Sequence, residues 1–471
     1  MVSLTATIRP RVSSLVLSNY LFGQHQMVPA WSKAVILVLL NCLLIPRGVE
    51  LQIGTIMIDS SRVVLAVFGL MAINKLLSGS IILHLTAADL FIFVHVGIVA
   101  VSAVYHEGFG EGLESAIAVS VDMGLAYFVA RAAIRNLQCY RYYVRVVLVI
   151  AAVSAVFGVA EMFTGHSIIR AAYQTVFPKV GQVYLRTQRL GLYRATAAFR
   201  ADILFGLYCM TAFALSVCMK PYQLTMRPGI YKVCLLLCVL GVFASLSSGP
   251  WIAFGLCVFC LAYGWVMTGI RGRWKYLLFA VGVWLMFLSI VSNRGPVRLV
   301  IDYLTLNPLS GYVRLGMWES VWAMMPEYWP LGWGWKSGWP RLEWYIWESI
   351  DSFYAVLFVR SGIFAVISIV SFLVYSWYRL SNFVGRSGWA GEAKGWVLGT
   401  VCLFVTAITV DIFGNLLFAT YFLLGAGQVL FKAYEPTPHY GRALRKISAV
   451  AHLRARGGLV SCDTRTTADG G

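Results

Sequence analysis

Long apolar stretches recur along the whole chain and restrict the folds that it can adopt. A transmembrane helix needs about 20 largely apolar residues, and about twelve stretches of the chain approach this length. They lie at roughly residues 31–46, 60–78, 87–105, 114–134, 144–163, 201–219, 230–247, 249–268, 276–292, 352–377, 396–411 and 413–432. Only 12% of the residues are charged, about half the fraction typical of soluble domains. The sequence therefore predicts an all-α polytopic membrane protein with about twelve transmembrane helices.

Basic residues mark one side of this predicted bundle. If the N-terminus is cytoplasmic, every inner segment is basic and almost free of acids, as the positive-inside rule requires. The inner basic residues are Arg9, Arg11, Lys33, Lys75, Arg135, Arg141, Arg145, Lys220, Arg227, Lys232, Arg271, Arg273, Lys275, Arg379, Arg386, Lys394, Arg442, Arg445, Lys446, Arg454 and Arg456. The net charge of +18 is therefore interpreted as an orientation signal rather than a nucleic-acid surface. Both termini are expected in the cytoplasm.

This topology divides the chain into segments. Residues 1–30 form a cytoplasmic N-terminal segment without the features of a cleavable signal peptide. Residues 31–292 hold transmembrane helices and an outer loop at 164–200, residues 293–350 form a large outer loop, residues 351–432 hold the last transmembrane helices, and residues 433–471 form a polar tail that is expected to be disordered.

The first outer loop is basic throughout. It contains Arg170, Lys179, Arg186, Arg189, Arg194 and Arg200, and it contains no Asp or Glu. Long loops can tolerate outer positive charge, so simple tolerance is one interpretation. The functional alternative is a surface for an anionic group such as a diphosphate, because arginine pairs bidentately with phosphate oxygens.

The second outer loop is rich in tryptophan. It contains Trp318, Trp322, Trp329, Trp333, Trp335, Trp339, Trp344 and Trp347. Indole rings favour the edge of a membrane, and they also offer flat apolar faces on which sugar rings can stack. The loop predicts either a membrane belt or a sugar platform, and the glycine turn at 330–336 favours the sugar platform for Trp333 and Trp335.

A short helix is expected from Ser310 to Met325 within this loop. Ser310 can cap it, and Pro326 restricts the residue before it and is expected to end it. Arg314, Trp318 and Trp322 follow a helical spacing and share one face. Arg314 is then either an interfacial side chain or a functional cation.

Charged residues inside or beside predicted spans are further candidates. Asp122, Arg360 and Asp411 fall at membrane depth, where a charge is costly and needs a partner. Arg360 with Asp411 is the most economical pair, either functional or purely structural. Asp351 stands at the start of the 352–377 span, where it is either a helix cap or a reactive carboxylate. Cys257 and Cys260 lack further ligands nearby, so no metal is expected.

Several motifs in order resemble a known family. The segments are YRATAAFRADILFG at 193–206, SSGPW at 247–251, Arg314 with Trp318, PLGWG at 330–334, SIDSFY at 349–354, and Arg360 with Gly362. Together they resemble the motifs of the broad O-antigen ligase/polymerase family, and of its bacterial exopolysaccharide polymerases in particular. In that family a Gly and a Pro stand where this chain has Ala197 and Ala201, and an Arg stands where it has Ser248.

The resemblance implies an integral-membrane glycosyltransferase of the GT-C type in the bacterial cytoplasmic membrane. Such enzymes act at the outer face on polyprenyl-diphosphate-linked glycans and need no cofactor or metal. The ligase branch usually has a His-Asn pair where this chain has Asp351 and Ser352, which favours a polymerase. A flippase and a chain-length regulator of the same pathway are the implied partners, together with the bilayer; no nucleic acid is expected.

The candidate site residues follow from the motifs and their charges. Arg314, Arg194 and Arg200 are expected to stabilise the leaving diphosphate, and Asp351 is the candidate general base. The expected substrate-binding residues are Trp333, Trp335, Lys336, Glu348, Arg360 and Asp202. Two alternatives remain open: a ligase that transfers finished glycan to another acceptor, and a glycan or lipid transporter in which Arg360, Asp411 and Asp122 line a path.

Overall fold

The computed structural model is mostly helical, at 76%. It describes residues 27–46, 49–53, 56–178, 180, 183–185, 187–270, 272–291, 298, 308–335, 350–387 and 391–434. The helices are α1 (Ala30–Asn41), α2 (Ser60–Leu77), α3 (Ala87–Glu107), α4 (Glu111–Ser120), α5 (Ala126–Ala133), α6 (Leu137–Thr164), α7 (Ile168–Gln174), α8 (Asp202–Val217), α9 (Pro228–Ala244), α10 (Ser248–Val266), α11 (Arg273–Val291), α12 (Pro308–Tyr328), α13 (Phe353–Ser361), α14 (Ile363–Ser387), α15 (Gly391–Thr406) and α16 (Asn415–Tyr434). A π-helical turn at Val121–Leu125 joins α4 to α5.

Seven helical segments are long and apolar enough to cross a membrane, in the part of the chain that the structure describes. They are Ser60–Leu77, Ala87–Glu107, Glu111–Ala133, Leu137–Thr164, Ser248–Val266, Arg273–Val291 and Ile363–Ser381, and shorter apolar helices lie at Ala30–Leu44, Asp202–Val217, Pro228–Ala244 and Asn415–Phe431. The protein is therefore a multi-pass, membrane-embedded helical protein. The total of twelve spans stays a prediction, as does the GT-C architecture.

Two short hairpins add strand to the expected all-helical fold. Strands β1 (Glu50–Ile53) and β2 (Ile56–Asp59) pair antiparallel and lead into α2. Strands β3 (Gln188–Arg189) and β4 (Leu192–Tyr193) pair antiparallel within the basic loop. Strands this short leave no sequence periodicity to detect, so the alternation pattern that identifies longer strands cannot reveal them.

The span expected at 352–377 is two helices. α13 ends at Ser361, Gly362 adopts φ +79°, and α14 begins at Ile363. The glycine is needed here because a Cβ at position 362 would lie 2.1 Å from the Pro330 carbonyl oxygen. Apolar sequence on both sides of Arg360, Ser361 and Gly362 reads as one span, so overall composition could not locate the break.

Helix α12 is longer at both ends than expected. It begins at Pro308, so Ser310 lies within its first turn and is not its cap. Proline suits the first turn because its missing N–H would have no helical partner there. At the other end the helix passes through Pro326 to Tyr328, because proline disfavours but does not forbid the helical conformation of the preceding residue.

The two ends of the bundle are defined by α6. Where α6 begins, Arg141 pairs with Glu392 of α15, and Arg131 pairs with Asp89 of α3 at 2.8 Å. Where α6 ends, the chain enters the basic loop. At the same end, the start of α13 bonds the residue after α15, and the end of α13 bonds the last turns of α3. We call this second region the site end.

Candidate functional site

A tight hairpin places two arginines on one face at the site end. Residues Leu190 and Gly191 form its turn with φ values of 56° and 77°, as a two-residue hairpin turn requires. Arg189 lies opposite Leu192, and the Arg194 amide extends the pairing by donating to the Thr187 carbonyl at 3.1 Å. Alternate strand residues share a face, so Arg189, Leu192 and Arg194 point to the same side.

The α9–α10 junction holds this hairpin in place. Arg189 Nη1 donates to the Leu246 carbonyl at 3.0 Å, and the Ala195 amide donates to the Ala244 carbonyl at 3.1 Å. These carbonyls lie at and just beyond the end of α9, where helices leave carbonyl groups without helical partners. Hydrogen bonds from the arginine-bearing segment therefore satisfy backbone carbonyl groups at this junction.

Arg194 forms an ion pair with Asp202, the first residue of α8. The two side chains keep only 24% and 17% of their surface exposed. The carboxylate suits this position because the start of a helix carries partial positive charge. The Nε atom of Arg194 is buried and has no hydrogen-bond partner among the described residues, so the guanidinium is only partly satisfied by Asp202.

Arg314 of α12 joins these two arginines. Burial lowers the pKa of its guanidinium, the Asp351 carboxylate acts in the opposite direction, and the Arg194 guanidinium lowers it further. Burial also lowers the pKa of Arg189, followed by the effects of Arg194 and Arg314. Arginine nevertheless stays protonated in proteins. We call Arg189, Arg194 and Arg314 the arginine cluster.

Arg314 also has an unsatisfied donor. Its Nε atom is buried without a hydrogen-bond partner, as is that of Arg194. A buried N–H that lacks an acceptor costs free energy comparable to a lost hydrogen bond. Two such donors on neighbouring guanidinium groups indicate a site that an anion with several oxygens would complete.

A small separate core brings Asp351 to the cluster. Met317, Val321 and Met324 of α12 pack against residues at 350 and along α13, and the Asp351 amide donates to Met317 Sδ at 3.1 Å. The cap of α13 is Ser352, whose hydroxyl accepts from the Ala355 amide at 3.3 Å. The interpretation of Asp351 as a helix cap is therefore wrong, and its carboxylate interacts electrostatically with Arg314.

Arg200 and Asp411 extend the charged region. The exposed Arg200 guanidinium lies 5.1 Å from the centre of the Phe413 ring, a cation–π contact. Asp411 lies in the connection between α15 and α16. Burial raises its pKa from 3.8 to about 7; the Asp351 carboxylate adds to this rise, and Arg200 and Arg360 oppose it.

Arg360 does not form the expected direct pair with Asp411. Its Nη1 atom donates to the Gly334 carbonyl at 3.1 Å. Its charge interacts more strongly with the Glu107 carboxylate than with the Asp411 carboxylate. Asp122, for which no partner could be named from sequence, pairs with Arg62 of α2 at 2.7 Å. Asp122 and Asp411 thus both have cationic neighbours, but neither pairing follows sequence proximity.

The glycine turn packs against the end of α13. The Trp333 amide donates to the Val359 carbonyl at 2.6 Å, and the Gly334 amide donates to the Arg360 carbonyl at 3.0 Å. The Trp335 indole N–H donates to Ser361 Oγ at 3.0 Å. Trp333 stands edge-on to Tyr328 with 40% of its surface exposed. Trp333 therefore presents more free surface than Trp335, and sugar binding by either remains a prediction.

The other predicted site residues lie elsewhere or outside the described residues. Lys336 and Glu348 belong to the latter group, as do Trp339, Trp344 and Trp347. Trp318 uses its indole N–H to bind the Ile408 carbonyl at 3.1 Å, and Trp322 is exposed. The structure thus brings Arg194, Arg314, Asp202 and Asp351 together, with Arg200 and Asp411 beside them.

Sequence reasoning missed two residues at this site. Arg189 was one of several loop arginines, and only the hairpin register places it beside Arg194. Glu161 was hidden in the apolar run of α6, where it is the one acidic residue. An acid within a predicted span is itself a signal, so the sequence did contain the means to find Glu161.

No protein-family model matches the chain, and no curated protein is significantly similar to it. What the fold defines is the broad class, a multi-pass membrane protein with a cationic site at one end of its helices.

Proposed function

We propose that the protein is a membrane glycosyltransferase that polymerises polyprenyl-diphosphate-linked oligosaccharide repeat units at the outer face of the bacterial cytoplasmic membrane. The observation that carries this proposal is the arginine cluster, with its two buried and unpartnered Nε atoms. A diphosphate supplies several anionic oxygens that match such donors. The motif resemblance to exopolysaccharide polymerases supports the same conclusion.

In the proposed reaction, an acceptor hydroxyl attacks the anomeric carbon of a lipid-linked glycan. The new glycosidic bond forms as the bond from that carbon to the diphosphate oxygen breaks. The lipid diphosphate leaves with the electron pair, and the arginine cluster stabilises its developing charge. The proton of the hydroxyl passes to Asp351, an exposed residue whose carboxylate interacts electrostatically with Arg314.

The position of the site suits a substrate that is half lipid and half sugar. The arginine cluster stands where α6, α8 and α13 begin or end, at the boundary between apolar helices and polar connections. A polyprenyl chain can remain among the helices while its diphosphate meets the arginines. The exposed side of Asp351 and the tryptophans of the loop are then available to the glycan.

The direct test uses purified full-length protein in liposomes that contain lipid-linked repeat units. We expect a ladder of longer glycans without an ion gradient. The matched control is Arg227→Ala, which removes an exposed arginine at the start of α9 and should leave the ladder intact. Substrate movement without new glycosidic bonds would instead establish a transporter.

The ligase alternative differs in its product. A polymerase lengthens a glycan that stays on its lipid diphosphate, whereas a ligase moves the glycan once to a different acceptor. Analysis of the reducing end of the product separates the two. A single transfer to a non-diphosphate acceptor, with no lengthening, would overturn the polymerase proposal and establish the ligase.

A further inference from the structure

Glu161 is a fully buried carboxylate close to the end of α6. It has no exposed surface, and it accepts three hydrogen bonds. Ser167 Oγ donates to Oε1 at 2.7 Å, while the amides of Thr196 and Ala197 donate to Oε2 at 3.0 and 2.8 Å. Charged groups are almost never fully buried without such partners. The groups that donate hydrogen bonds to this carboxylate therefore indicate its role.

What it holds is the turn between Arg194 and Arg200. Ala197 has φ +48°, a left-handed conformation that is unfavourable for any residue with a Cβ atom. The amides of Thr196 and Ala197 are neither in a helix nor in a strand, and they converge on one anionic oxygen. Successive amides of this kind form an anion-binding concavity, which the protein here fills with its own carboxylate.

Arg170 of α7 secures the other half of the same turn. Its Nη2 atom donates to the Phe199 carbonyl at 2.7 Å, and its charge interacts with Glu161. The Phe199 ring is buried and packs 5.2 Å from Tyr208, between ring centres. Glu161 and Arg170 thus fix the backbone between the two arginines from two directions.

We propose that Glu161 is a positioning residue, which fixes the turn at 195–199 so that Arg194 and Arg200 hold their places at the site. This role in the reaction rests on the proposed function. Because Glu161 is fully buried, it acts on the substrate only through the turn. We attribute the positioning to its hydrogen bonds, because the amides of Thr196 and Ala197 belong to the turn itself.

Two substitutions separate hydrogen bonding from charge. Glu161→Gln keeps an oxygen for the two amides, and its NH2 group can donate to Ser167 Oγ, so every bond can be retained without the charge. Glu161→Asp keeps the charge but shortens the side chain by one methylene, which withdraws the carboxylate from the amides. If hydrogen bonds matter, Gln should be tolerated and Asp should not.

The experiment measures two quantities on each full-length variant. Amide hydrogen exchange in residues 194–200 reports the turn, and the polymerisation rate with lipid-linked repeat units reports the site. Glu161→Asp and Glu161→Ala should each raise exchange in this segment and lower the rate by about 10-fold or more, since two buried amides lose their acceptor. Glu161→Gln should stay within about 3-fold of the wild type on both.

The contrary results are distinct. Unchanged exchange in Glu161→Asp and Glu161→Ala would overturn the positioning role, and so would a Gln variant as impaired as the Asp variant. Raised exchange with an unchanged polymerisation rate would also overturn it. If the wild type makes no polymer at all, the proposed function fails, while the exchange comparison still decides whether Glu161 holds the turn. Should Glu161→Ala not accumulate, the Asp and Gln pair decides alone.

Discussion

The two ends of the helix bundle treat arginine in opposite ways. Where α6 begins, two half-buried arginines each pair with a carboxylate: Arg141 contacts Glu392 at 2.7 Å, and Arg131 contacts Asp89 at 2.8 Å. At the site end, three arginines converge near Asp202 and Asp351. Two of their Nε atoms have no acceptor. The first arrangement satisfies its donors with carboxylates, whereas the second leaves two buried donors unsatisfied among the described residues.

The surrounding hydrogen bonds differ in the same way. Glu392 also accepts from Gln223 at 3.0 Å, and Asp89 also accepts from Tyr127 at 2.7 Å. Such satisfied networks make structure rigid and are costly to break. Charge alone therefore does not distinguish a structural arginine from one that can bind a ligand. What distinguishes them is whether the donors are already used.

The largest effect on stability is expected for Arg141→Ala. This change leaves Glu392 buried, with 2% of its side chain exposed, and without its cation. Breaking a buried pair in this way typically costs about 3–5 kcal/mol. Thermal unfolding in detergent and the level of protein in membranes measure the loss.

A double variant serves as the control for this pair. Adding Glu392→Gln removes the unpaired charge, so the double variant should recover part of the stability. If Arg141→Ala instead folds normally and only slows polymerisation, the two ends do not differ as we describe.

The next effect is on the rate, through Arg314→Ala. Loss of one well-placed electrostatic contact to a transition state commonly lowers a rate by about 10²–10³-fold. We expect this loss in the liposome assay, with little change in unfolding temperature, because the Nε atom of Arg314 has no hydrogen-bond partner among the described residues.

Arg314→Lys refines this prediction. It keeps the charge but loses the planar fork that binds two phosphate oxygens, so its rate should fall between those of the wild type and the Ala variant. Arg227→Ala again controls for the loss of one arginine. A normal rate in Arg314→Ala would show that the cluster is not the reacting site.

The smallest effect is a pH dependence at Asp411. Burial raises the pKa of its carboxyl from 3.8 to about 7, so the folded protein favours the protonated form. The stability that this group contributes is complete below about pH 4 and is lost as the pH rises toward 7. Asp411→Asn lacks this loss, and it should therefore be more stable than the wild type above pH 7.

Unfolding temperatures of Asp411→Asn and wild type between pH 4 and pH 8 check this prediction. The difference should be near zero at pH 4, should grow up to about pH 7 and should then level off. A difference that is constant over this range would mean that Asp411 does not titrate there. The Asp411 carboxyl would then add no pH-dependent cost to folding at the site end.

Much of the fold followed from the sequence because lipid imposes a simple rule. Each long apolar stretch had to become a helix, since a bilayer offers no partner to free backbone groups. The breaks were harder to predict. Gly362 interrupts an apolar run because the Pro330 carbonyl approaches its backbone, and that approach depends on residues distant in sequence.

The site was predictable in part for the same reason. Arg194 stood out in a loop without acids, Arg314 on a helical face with two tryptophans, and Asp351 at the start of a predicted span. The Arg62–Asp122 pair at 2.7 Å joins residues sixty positions apart, and no local pattern relates them. Arg189 required the register of a two-residue strand. Candidate charged residues could therefore be found from the sequence, whereas their partners became apparent only in the folded structure.

The contact between the glycine turn and the break after α13 has a consequence for suppressor genetics. A Cβ at Gly362 would lie 2.1 Å from the Pro330 oxygen, and a Cβ at Gly332 would lie 2.5 Å from the Arg360 carbonyl carbon. In both cases the obstacle is backbone, which no change of a neighbouring side chain can remove. Loss-of-function alleles at these two positions should therefore revert only at the mutated codon, and second-site revertants should be absent.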